Sequence, residues 1–150
     1  MNVATAPTLL DRRKSVRVLW ADDDPMIRAV MATNLEAEGF DVETVADGDA
    51  AYDSAVQICP DVLVLDIMMP GRDGYAVLRA LRSNPATAEV PVVLLSAKAT
   101  DAEVWEGWKA GADYYITKPF NPTELTDFIE HIALGPVPAA GSPVPVGAEA

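Results

Sequence analysis

Four acidic side chains and one lysine stand directly after short apolar runs of this chain. The acids are the aspartates at 22–24 and Asp66, and the lysine is Lys118. Carboxylate oxygens are the ligands that Mg²⁺ prefers, and a lysine adds one fixed positive charge. If the segments meet in space, these residues form an acidic metal-binding site with a cation beside it.

The apolar runs before these residues are typical of strands in a parallel sheet. They are rich in β-branched and large apolar residues, and their nearly continuous hydrophobicity suits strands that are buried on both faces. The runs are residues 16–21, 62–65 and 114–117. Ligands bind outside the carboxyl ends of the strands in open parallel α/β sheets. The sequence therefore predicts that the acids and the lysine converge at one edge of a sheet.

Strand and helix patterns alternate five times along the chain. The predicted strands are residues 16–21, 41–46, 62–65, 90–95 and 114–117. A helix pattern follows each strand, and these helices are predicted to end near residues 39, 58, 84, 111 and 132. Such alternation requires parallel strands with right-handed crossovers. We expect an α/β fold, a doubly wound parallel sheet with helices on both faces.

Composition limits the class of partner. The formal charge is −12, and no basic face is visible, which argues against direct nucleic-acid binding and against anionic lipid. No apolar stretch is long enough for a signal peptide or a membrane span, so we expect a cytoplasmic protein without membrane insertion. The single cysteine, Cys59, cannot form an internal disulfide and is predicted to be a small buried residue.

The predicted domain covers residues 16–134. Residues 1–15 are expected to be a flexible N-terminal segment. Residues 135–150 are rich in Pro, Ala and Gly, and are expected to be a disordered tail or a truncated linker.

Four blocks of the chain resemble, in order and spacing, the receiver domain of bacterial two-component response regulators. The blocks are LWADDDP at 19–25, PDVLVLDIMMPGRDG at 60–74, LSAK at 95–98 and GADYYITKPF at 111–120. The resemblance runs from about residue 16 to about residue 133 and is specific, because each block falls at a predicted strand end. It implies a flavodoxin-like fold with five strands in the order 2-1-3-4-5.

The resemblance also implies roles for the acidic residues. Asp66 would be the phosphoacceptor. Asp22 and Asp23 would hold Mg²⁺ together with Asp66, and Met68 would offer its backbone carbonyl to the metal. The domain would be a phosphoacceptor signalling domain with autocatalytic phosphotransfer and dephosphorylation rather than an enzyme in the usual sense.

Further residues would serve the phosphoryl group and the switch. Ser96 matches the hydroxyl residue that hydrogen-bonds the phosphoryl group, and Lys118 matches the lysine that pairs with it. Tyr115 matches the switch aromatic, which turns inward when the serine moves. The bond between Lys118 and Pro119 is expected to be cis.

Two surfaces are implied as partner sites. A histidine kinase or histidine phosphotransfer protein would donate the phosphoryl group, and its specificity would lie around residues 26–35. An unknown target protein would bind near Trp105, Trp108 and Tyr115. The spacing of the two tryptophans favours packing for Trp108 and exposure for Trp105.

Other interpretations stay open from the residues alone. The aspartates at 22–24 could cap a helix, Ser96 could be a buried hydroxyl satisfied by backbone, and Lys118 could be a solvated loop lysine. A Mg²⁺-dependent phosphohydrolase is disfavoured because Met68 cannot act as the general acid two residues after Asp66. A phosphate-independent binding module is disfavoured by the complete set of site residues.

The output is expected to be protein contact or a phosphorelay, as in a single-domain regulator. The alternative is a receiver fragment of a larger regulator. Three features depart from the usual pattern: Trp20 stands in a central strand, the last helix contains no Lys or Arg, and Met68 and Lys98 occupy positions thought to tune dephosphorylation.

Overall fold

A computed structural model describes residues 16–97 and 100–134. The predicted N-terminal segment 1–15, the predicted tail 135–150 and Lys98 lie outside the described residues. The strands are β1 (Arg17–Ala21), β2 (Asp41–Val45), β3 (Val62–Asp66), β4 (Val92–Ser96) and β5 (Tyr114–Thr117). The helices are α1 (Pro25–Ala37), α2 (Gly48–Ile58), α3 (Gly74–Ser83), α4 (Asp101–Ala110) and α5 (Pro122–Leu134).

The five strands form one parallel sheet in the order β2-β1-β3-β4-β5. This confirms the predicted doubly wound fold and its strand order. The order reverses next to β1, because β2 lies on one side of it and β3 on the other. In folds of this kind, the crevice for ligands opens at such a reversal, outside the carboxyl ends of the strands.

Two apolar layers cover the two faces of the sheet. Successive side chains of a strand point to opposite faces, so Leu19 belongs to one layer and Trp20 to the other. Helices α2, α3 and α4 contribute these buried residues to the first layer: Ala51, Ala55, Val77, Leu78, Leu81 and Ala110. Helices α1 and α5 contribute these to the second layer: Met31, Leu35, Leu125 and Ile129. The three central strands are therefore buried on both sides, as their sequences predict.

The helices begin close to the edge of the sheet where the strands end. Asp24 caps α1 by accepting a hydrogen bond from the backbone N–H of Met26 at 2.9 Å. Asp47, Asp73 and Thr100 cap α2, α3 and α4 in the same way. Such caps satisfy the free N–H groups of the first helical turn. The capping interpretation is thus correct for Asp24, the last residue of the acidic run.

Two predictions need correction. Strand β4 begins at Val92 rather than Val90, because the N–H of Val90 bonds to Thr87 in a turn and Pro91 has no N–H. Cys59 is exposed rather than buried. It ends α2 in the left-handed region with a φ of 46°, so its side chain leaves the buried face of the helix.

Trp20 packs in an unusual way for a central strand. It is completely buried, and its ring centroid lies 6.0 Å from that of Phe120. Among the described residues, no acceptor bonds its indole Nε1. A buried donor without a partner costs about 1–3 kcal/mol, which the large apolar contact of the indole must offset.

No helix in the described part of the chain combines the length and apolar character that crossing a membrane requires.

Arg82 ties the end of α3 to the loops that flank β4. Its Nε donates to the carbonyl of Gly111 at 3.0 Å, and its Nη1 donates to the carbonyls of Ala88 and Val90. Its Nη2 bonds Asp113 Oδ2 at 2.9 Å. One half-buried guanidinium therefore satisfies carbonyls at the amino ends of β4 and β5, opposite the candidate site.

Replacing Arg82 by Ala is expected to lower the free energy of unfolding by about 2–4 kcal/mol, because several half-buried carbonyls lose their donor. Urea unfolding followed by circular dichroism measures the change. The matched control is Arg79→Ala, an exposed arginine one turn earlier on the same helix, which should change stability by less than about 0.5 kcal/mol. Equal effects of the two substitutions would contradict the proposed role of Arg82.

Candidate functional site

The predicted site residues stand at the carboxyl ends of four strands. Asp22 follows β1, Asp66 ends β3, Ser96 ends β4 and Lys118 follows β5. Strand pairing brings these ends to one level, since Ala21 lies opposite Leu65 and the N–H of Lys118 bonds to the carbonyl of Ser96 at 2.7 Å. The predicted convergence is therefore correct.

The two buried acids share one lysine. Asp22 is fully buried and Asp66 is nearly so, whereas Asp23 is exposed. Lys118 Nζ lies 2.8 Å from Asp66 Oδ2, where it donates a hydrogen bond, and 3.3 Å from Asp22 Oδ2. The longer pair has the distance of an ion pair but lacks hydrogen-bond geometry. Among the described residues, Asp22 Oδ2 therefore has no hydrogen-bond partner.

Burial and mutual repulsion govern the protonation of these groups. Burial raises the pKa of Asp66, and the charge of Asp22 adds to this, although the hydrogen bond and charge of Lys118 oppose it. For Lys118, burial lowers the pKa, but the hydrogen bond and charge of Asp66 and the charge of Asp22 outweigh it, so the net shift is upward. The lysine thus stays charged, and it does not fully compensate the carboxylates.

The acidic cluster fits a hard divalent cation. Carboxylate oxygens of Asp22, Asp23 and Asp66 all lie within 4.8 Å of one another. Two oxygens bound to one Mg²⁺ are at most about 4.2 Å apart, given Mg–O distances of about 2.1 Å, so a small closure brings all three into range. The buried oxygen of Asp22 without a hydrogen-bond partner is the kind of ligand atom that a cation would satisfy. Three carboxylates and one ammonium leave a formal charge of −2, which the ion would cancel.

Met68 lies beside the cluster on the loop after β3. Its backbone N–H donates to Asp66 Oδ1 at 3.2 Å, and its side chain is 72% exposed. The hydrogen bond lowers the pKa of Asp66, although burial is the larger effect and raises it.

Gly74 closes the loop behind Asp66, and sequence reasoning assigned it no role. Its N–H bonds to the carbonyl of Ile67 at 2.9 Å. A Cβ at this position would lie 2.6 Å from the carbonyl oxygen of Asp66 and 2.8 Å from Ile67 Cα. Only glycine allows the backbone to approach so closely. The signal in the sequence is the pair Asp73 and Gly74, a cap followed by a residue without a side chain.

Arg28 is a second residue that sequence reasoning missed. From α1, its Nη1 donates to the backbone carbonyl of Asp22 at 2.8 Å. Its position six residues after Asp22, on the first turns of the following helix, is the available sequence signal. The contact fixes the backbone that carries the buried acid.

Tyr115 is completely buried on the side of the sheet covered by α4. Its ring meets Trp108 edge-on, with centroids 6.4 Å apart. Burial raises the pKa of Tyr115 and is the largest effect, although side-chain hydrogen bonding to Ser96 and Tyr75 opposes it. The net shift of the pKa is upward. The inward ring therefore lies beside the hydroxyl of Ser96, at the strand end next to Asp66.

Tyr75 of α3 adds a link to which the sequence analysis assigned no role. Its hydroxyl lies 3.2 Å from Glu103 Oε2 and 3.3 Å from the carbonyl of Glu103. Burial, with the nearby hydroxyl of Tyr115 and the charge of Glu103, raises the pKa of Tyr75, so it stays a donor. The hydroxyl thereby connects α3 to the first turn of α4.

Other predicted features are directly visible. The peptide bond between Lys118 and Pro119 is cis. Trp105 is 61% exposed, while Trp108 packs against the apolar layer that contains Tyr115.

An apolar groove of about 420 Å³ runs beside Lys118, between α1 and the loop after β5. Its lining consists of Met26, Ile27, Val30, Met31, Lys118, Pro119, Phe120 and Pro122.

Residues 18–130 match the family model of the response regulator receiver domain. Over 109 residues the chain is 41% identical to the DNA-binding dual master transcriptional regulator RpaA of Synechocystis. This match covers 73% of this chain and 45% of that protein. It is 38% identical to the phosphate regulon transcriptional regulatory protein PhoB of Rhizobium meliloti, covering 73% of this chain and 48% of that protein. The chain thus spans about half the length of the curated relatives it matches.

Solved structures share the fold over nearly their whole length. The chemotaxis response regulator CheY4 of Vibrio cholerae is 31% identical with a TM-score of 0.74, covering 78% of this chain and 98% of that one. The receiver domain of the sensor histidine kinase PA1611 of Pseudomonas aeruginosa is 30% identical with a TM-score of 0.73, covering 81% and 98%. That receiver holds a magnesium ion in its active-site cleft.

Mg²⁺ is expected to raise the melting temperature of this protein, because an ion that binds only the folded state stabilises it by about 2.7 kcal/mol at 100-fold excess over its Kd. Asp22→Asn should abolish most of this response, since it removes a buried ligand. Asp53→Asn, an exposed acid on α2, is the matched control and should respond like the unaltered protein. Differential scanning fluorimetry with Mg²⁺ and with EDTA makes the comparison.

Asp66→Asn should melt at a higher temperature than the unaltered protein in EDTA at neutral pH. The folded-state pKa of Asp66 lies above its ordinary value of 3.8, so its ionised form opposes folding. This penalty is absent below pH 3.8 and grows as the pH rises through the folded-state pKa. The melting temperatures should therefore converge at acid pH. A constant difference at all pH values would contradict the electrostatic explanation.

Proposed function

The chain belongs to the response regulator receiver domain family, and on that premise we propose that Asp66 accepts a phosphoryl group from a histidine kinase or a histidine phosphotransfer protein. We further propose that residues 16–134 form the receiver. The observation that carries the proposal is the shared cation: Lys118 Nζ lies 2.8 Å from Asp66 and 3.3 Å from Asp22. Family members of this kind are signalling domains, and phosphorylation of an aspartate with Mg²⁺ is general among them.

The proposed reaction is a simple displacement at phosphorus. A carboxylate oxygen of Asp66 attacks the phosphorus of a phosphohistidine, and the new O–P bond forms as the P–N bond breaks. The electron pair of that bond stays on the imidazole nitrogen of the donor, which takes up a proton. Lys118, already beside Asp66 Oδ2, stabilises the charge on the transferring oxygens.

Asp22, Asp23 and Asp66, with the backbone carbonyl of Met68, would hold Mg²⁺. When bound, the ion would supply positive charge that offsets the repulsion between the carboxylate and the phosphoryl oxygens. Asp22 would bring a preorganised ligand, since it is buried and the N–H of Asp24 bonds its Oδ1 at 2.9 Å. Ser96, at the end of the neighbouring strand β4, would donate a hydrogen bond from its hydroxyl to a phosphoryl oxygen.

Incubation with acetyl phosphate and Mg²⁺ is expected to add one phosphoryl group to the protein, measured by intact mass. The adduct should be labile to hydroxylamine, as an acyl phosphate is, and absent with EDTA or in Asp66→Ala. The matched control Asp53→Asn should be modified like the unaltered protein. If no adduct forms, the test is repeated with phosphorylated histidine kinases. Failure with every donor, or an adduct that persists in Asp66→Ala, would contradict the proposal.

The phosphodonor is proposed to dock at the apolar groove beside Lys118. The groove joins α1 to the loop after β5, and it exposes Met26 and Val30 close to the lysine. A protein partner seated there would cover the mouth of the site and exclude water from the transfer. The charge of −12 supports protein contact over direct binding of this domain to nucleic acid.

The output is proposed to pass through Ser96 and Tyr115 to the face that carries Trp105. Phosphorylation would draw the hydroxyl of Ser96 toward Asp66, and the inward ring of Tyr115 would be stabilised behind it. Since Tyr115 packs against Trp108 of α4, the position of the ring is coupled to the surface of that helix. The target would be a protein that contacts α4, β5 and α5, or the phosphoryl group would pass onward in a relay.

Phosphorylation is expected to change amide hydrogen exchange in peptides that cover residues 101–117. Tyr115→Ala should still accept the phosphoryl group but lose most of that change, because no ring links Ser96 to α4. Hydrogen exchange measured by mass spectrometry, with and without acetyl phosphate, provides the readout. Tyr52→Ala, a tyrosine of α2, is the matched control. An unaltered exchange response in Tyr115→Ala would remove the ring from the signalling route.

A phosphohydrolase that uses Asp66 as its nucleophile is not favoured by the site. Such an enzyme needs a proton donor two residues after the nucleophile, and here that residue is Met68, an exposed thioether.

A further inference from the structure

Gly107 occupies the interior of α4, where glycine weakens a helix. The helix spans Asp101–Ala110 and already has a cap at each end, Thr100 at the start and Gly111, with a φ of 105°, at the finish. Gly107 is therefore not needed to end the helix. A glycine inside a helix without a capping role calls for a packing reason.

The neighbour that supplies this reason is Tyr115. A Cβ at residue 107 would lie 2.9 Å from Cδ2 and 3.2 Å from Cε2 of the Tyr115 ring. It would also lie 3.2 Å from Leu94 Cδ1. Carbon atoms pack at about 3.5–4.0 Å, and ring carbons cannot bend aside as the end of a flexible chain can. The buried ring of Tyr115 therefore occupies space that a Cβ at residue 107 would need.

The surroundings limit other ways of making room. Trp108 meets the ring edge-on from the same helix. The hydroxyl of Tyr75 bonds Glu103 in the first turn of α4, which holds that helix against α3. Retreat of α4 from the sheet would pull Glu103 away from Tyr75 and Trp108 away from the ring. Rotation of Tyr115 about its own side-chain bonds gives up the contacts of its ring but leaves the bond between Tyr75 and Glu103 in place. A methyl group at residue 107 would therefore displace the ring.

We propose that Gly107 is a positioning residue for the switch, because its missing side chain admits Tyr115 to its inward position. This inference rests on the proposed function of the Ser96 and Tyr115 pair. Gly107 does not touch Asp66, Asp22 or Lys118. Gly107→Ala should therefore separate phosphorylation from output: Asp66 is still modified, but the surface of α4 no longer responds.

The position of the ring is tested directly by ¹⁹F NMR of protein that contains 3-fluorotyrosine. Tyr115→Phe identifies the Tyr115 signal, and a soluble gadolinium chelate broadens signals of exposed rings. Gly107→Ala should increase broadening of the Tyr115 signal several-fold. Glu106→Ala, the exposed neighbour on α4, is the matched control and should leave it unchanged. A Tyr115 signal that stays protected in Gly107→Ala would overturn the inference.

Thermal unfolding tests the contact by a double substitution. In the Tyr115→Ala background the ring is absent, so Gly107→Ala should raise the melting temperature by about 2–5 °C through helix propensity alone. In the native background the same substitution should give no rise or a fall. Because the expected rise needs a folded protein, it also shows that alanine at residue 107 is compatible with the fold. An equal rise in both backgrounds would overturn the proposed contact.

Two final measurements separate this inference from the function on which it rests. Gly107→Ala should gain the same phosphoryl group from acetyl phosphate as the unaltered protein, yet lose most of the phosphorylation-dependent exchange change in residues 101–117. A full exchange response in this variant would overturn the positioning role while the phosphoacceptor proposal stands. Failure of the unaltered protein to accept a phosphoryl group from any donor would instead refute the proposed function, and the NMR result would still decide where the ring lies.

Discussion

The burial of Asp22 and Asp66 side by side, with Lys118 between them, is the constraint on which the rest of this structure depends. Burying one carboxylate costs several kcal/mol unless a cation or donors compensate it, and here two acids share one ammonium. The raised pKa of Asp66, which burial causes, records the incomplete compensation. The fold must hold these charges together against their repulsion. The same excess of negative charge prepares the site for a cation.

The sheet provides the rigidity that this arrangement requires. Each site residue ends or follows a strand that pairs with its neighbours along most of its length. The two apolar layers bury the central strands on both faces, so strand ends cannot drift apart without exposing the core. Gly74 and Arg28 fix the backbone on either side of the acids. An electrostatically unfavourable site is thus supported by the most deeply buried strands of the described structure.

The connection to the surface has a different physical character. It runs through hydroxyl groups and one aromatic ring, from Ser96 to Tyr115 and, through Tyr75, to Glu103 of α4. Apart from the carboxylate of Glu103 at its end, these contacts join uncharged groups, which small movements can make or break, unlike the ion pairs at the strand ends. In the proposed switch, a buried ring that has room only because Gly107 has no side chain would alternate between two discrete positions, inward and outward. Such elements can transmit a local change in charge over a distance.

The sequence alone determined the fold class and which charged residues meet at the carboxyl edge of the sheet. Near-continuous apolar runs identify buried parallel strands, and parallel strands place Asp22, Asp66 and Lys118 at one edge whatever the details of packing. Local chemistry also accounts for the helix start at Pro25, because Asp24 supplies the cap and proline suits the first helical position. Tertiary structure decided what depends on contacts between distant segments. It exposed Cys59 at a left-handed helix end, moved the start of β4 to Val92, and buried Tyr115 against Gly107. A linear pattern records which residues are apolar or charged, but the distance from a missing Cβ to a ring eight residues later exists only once α4 has packed on β5.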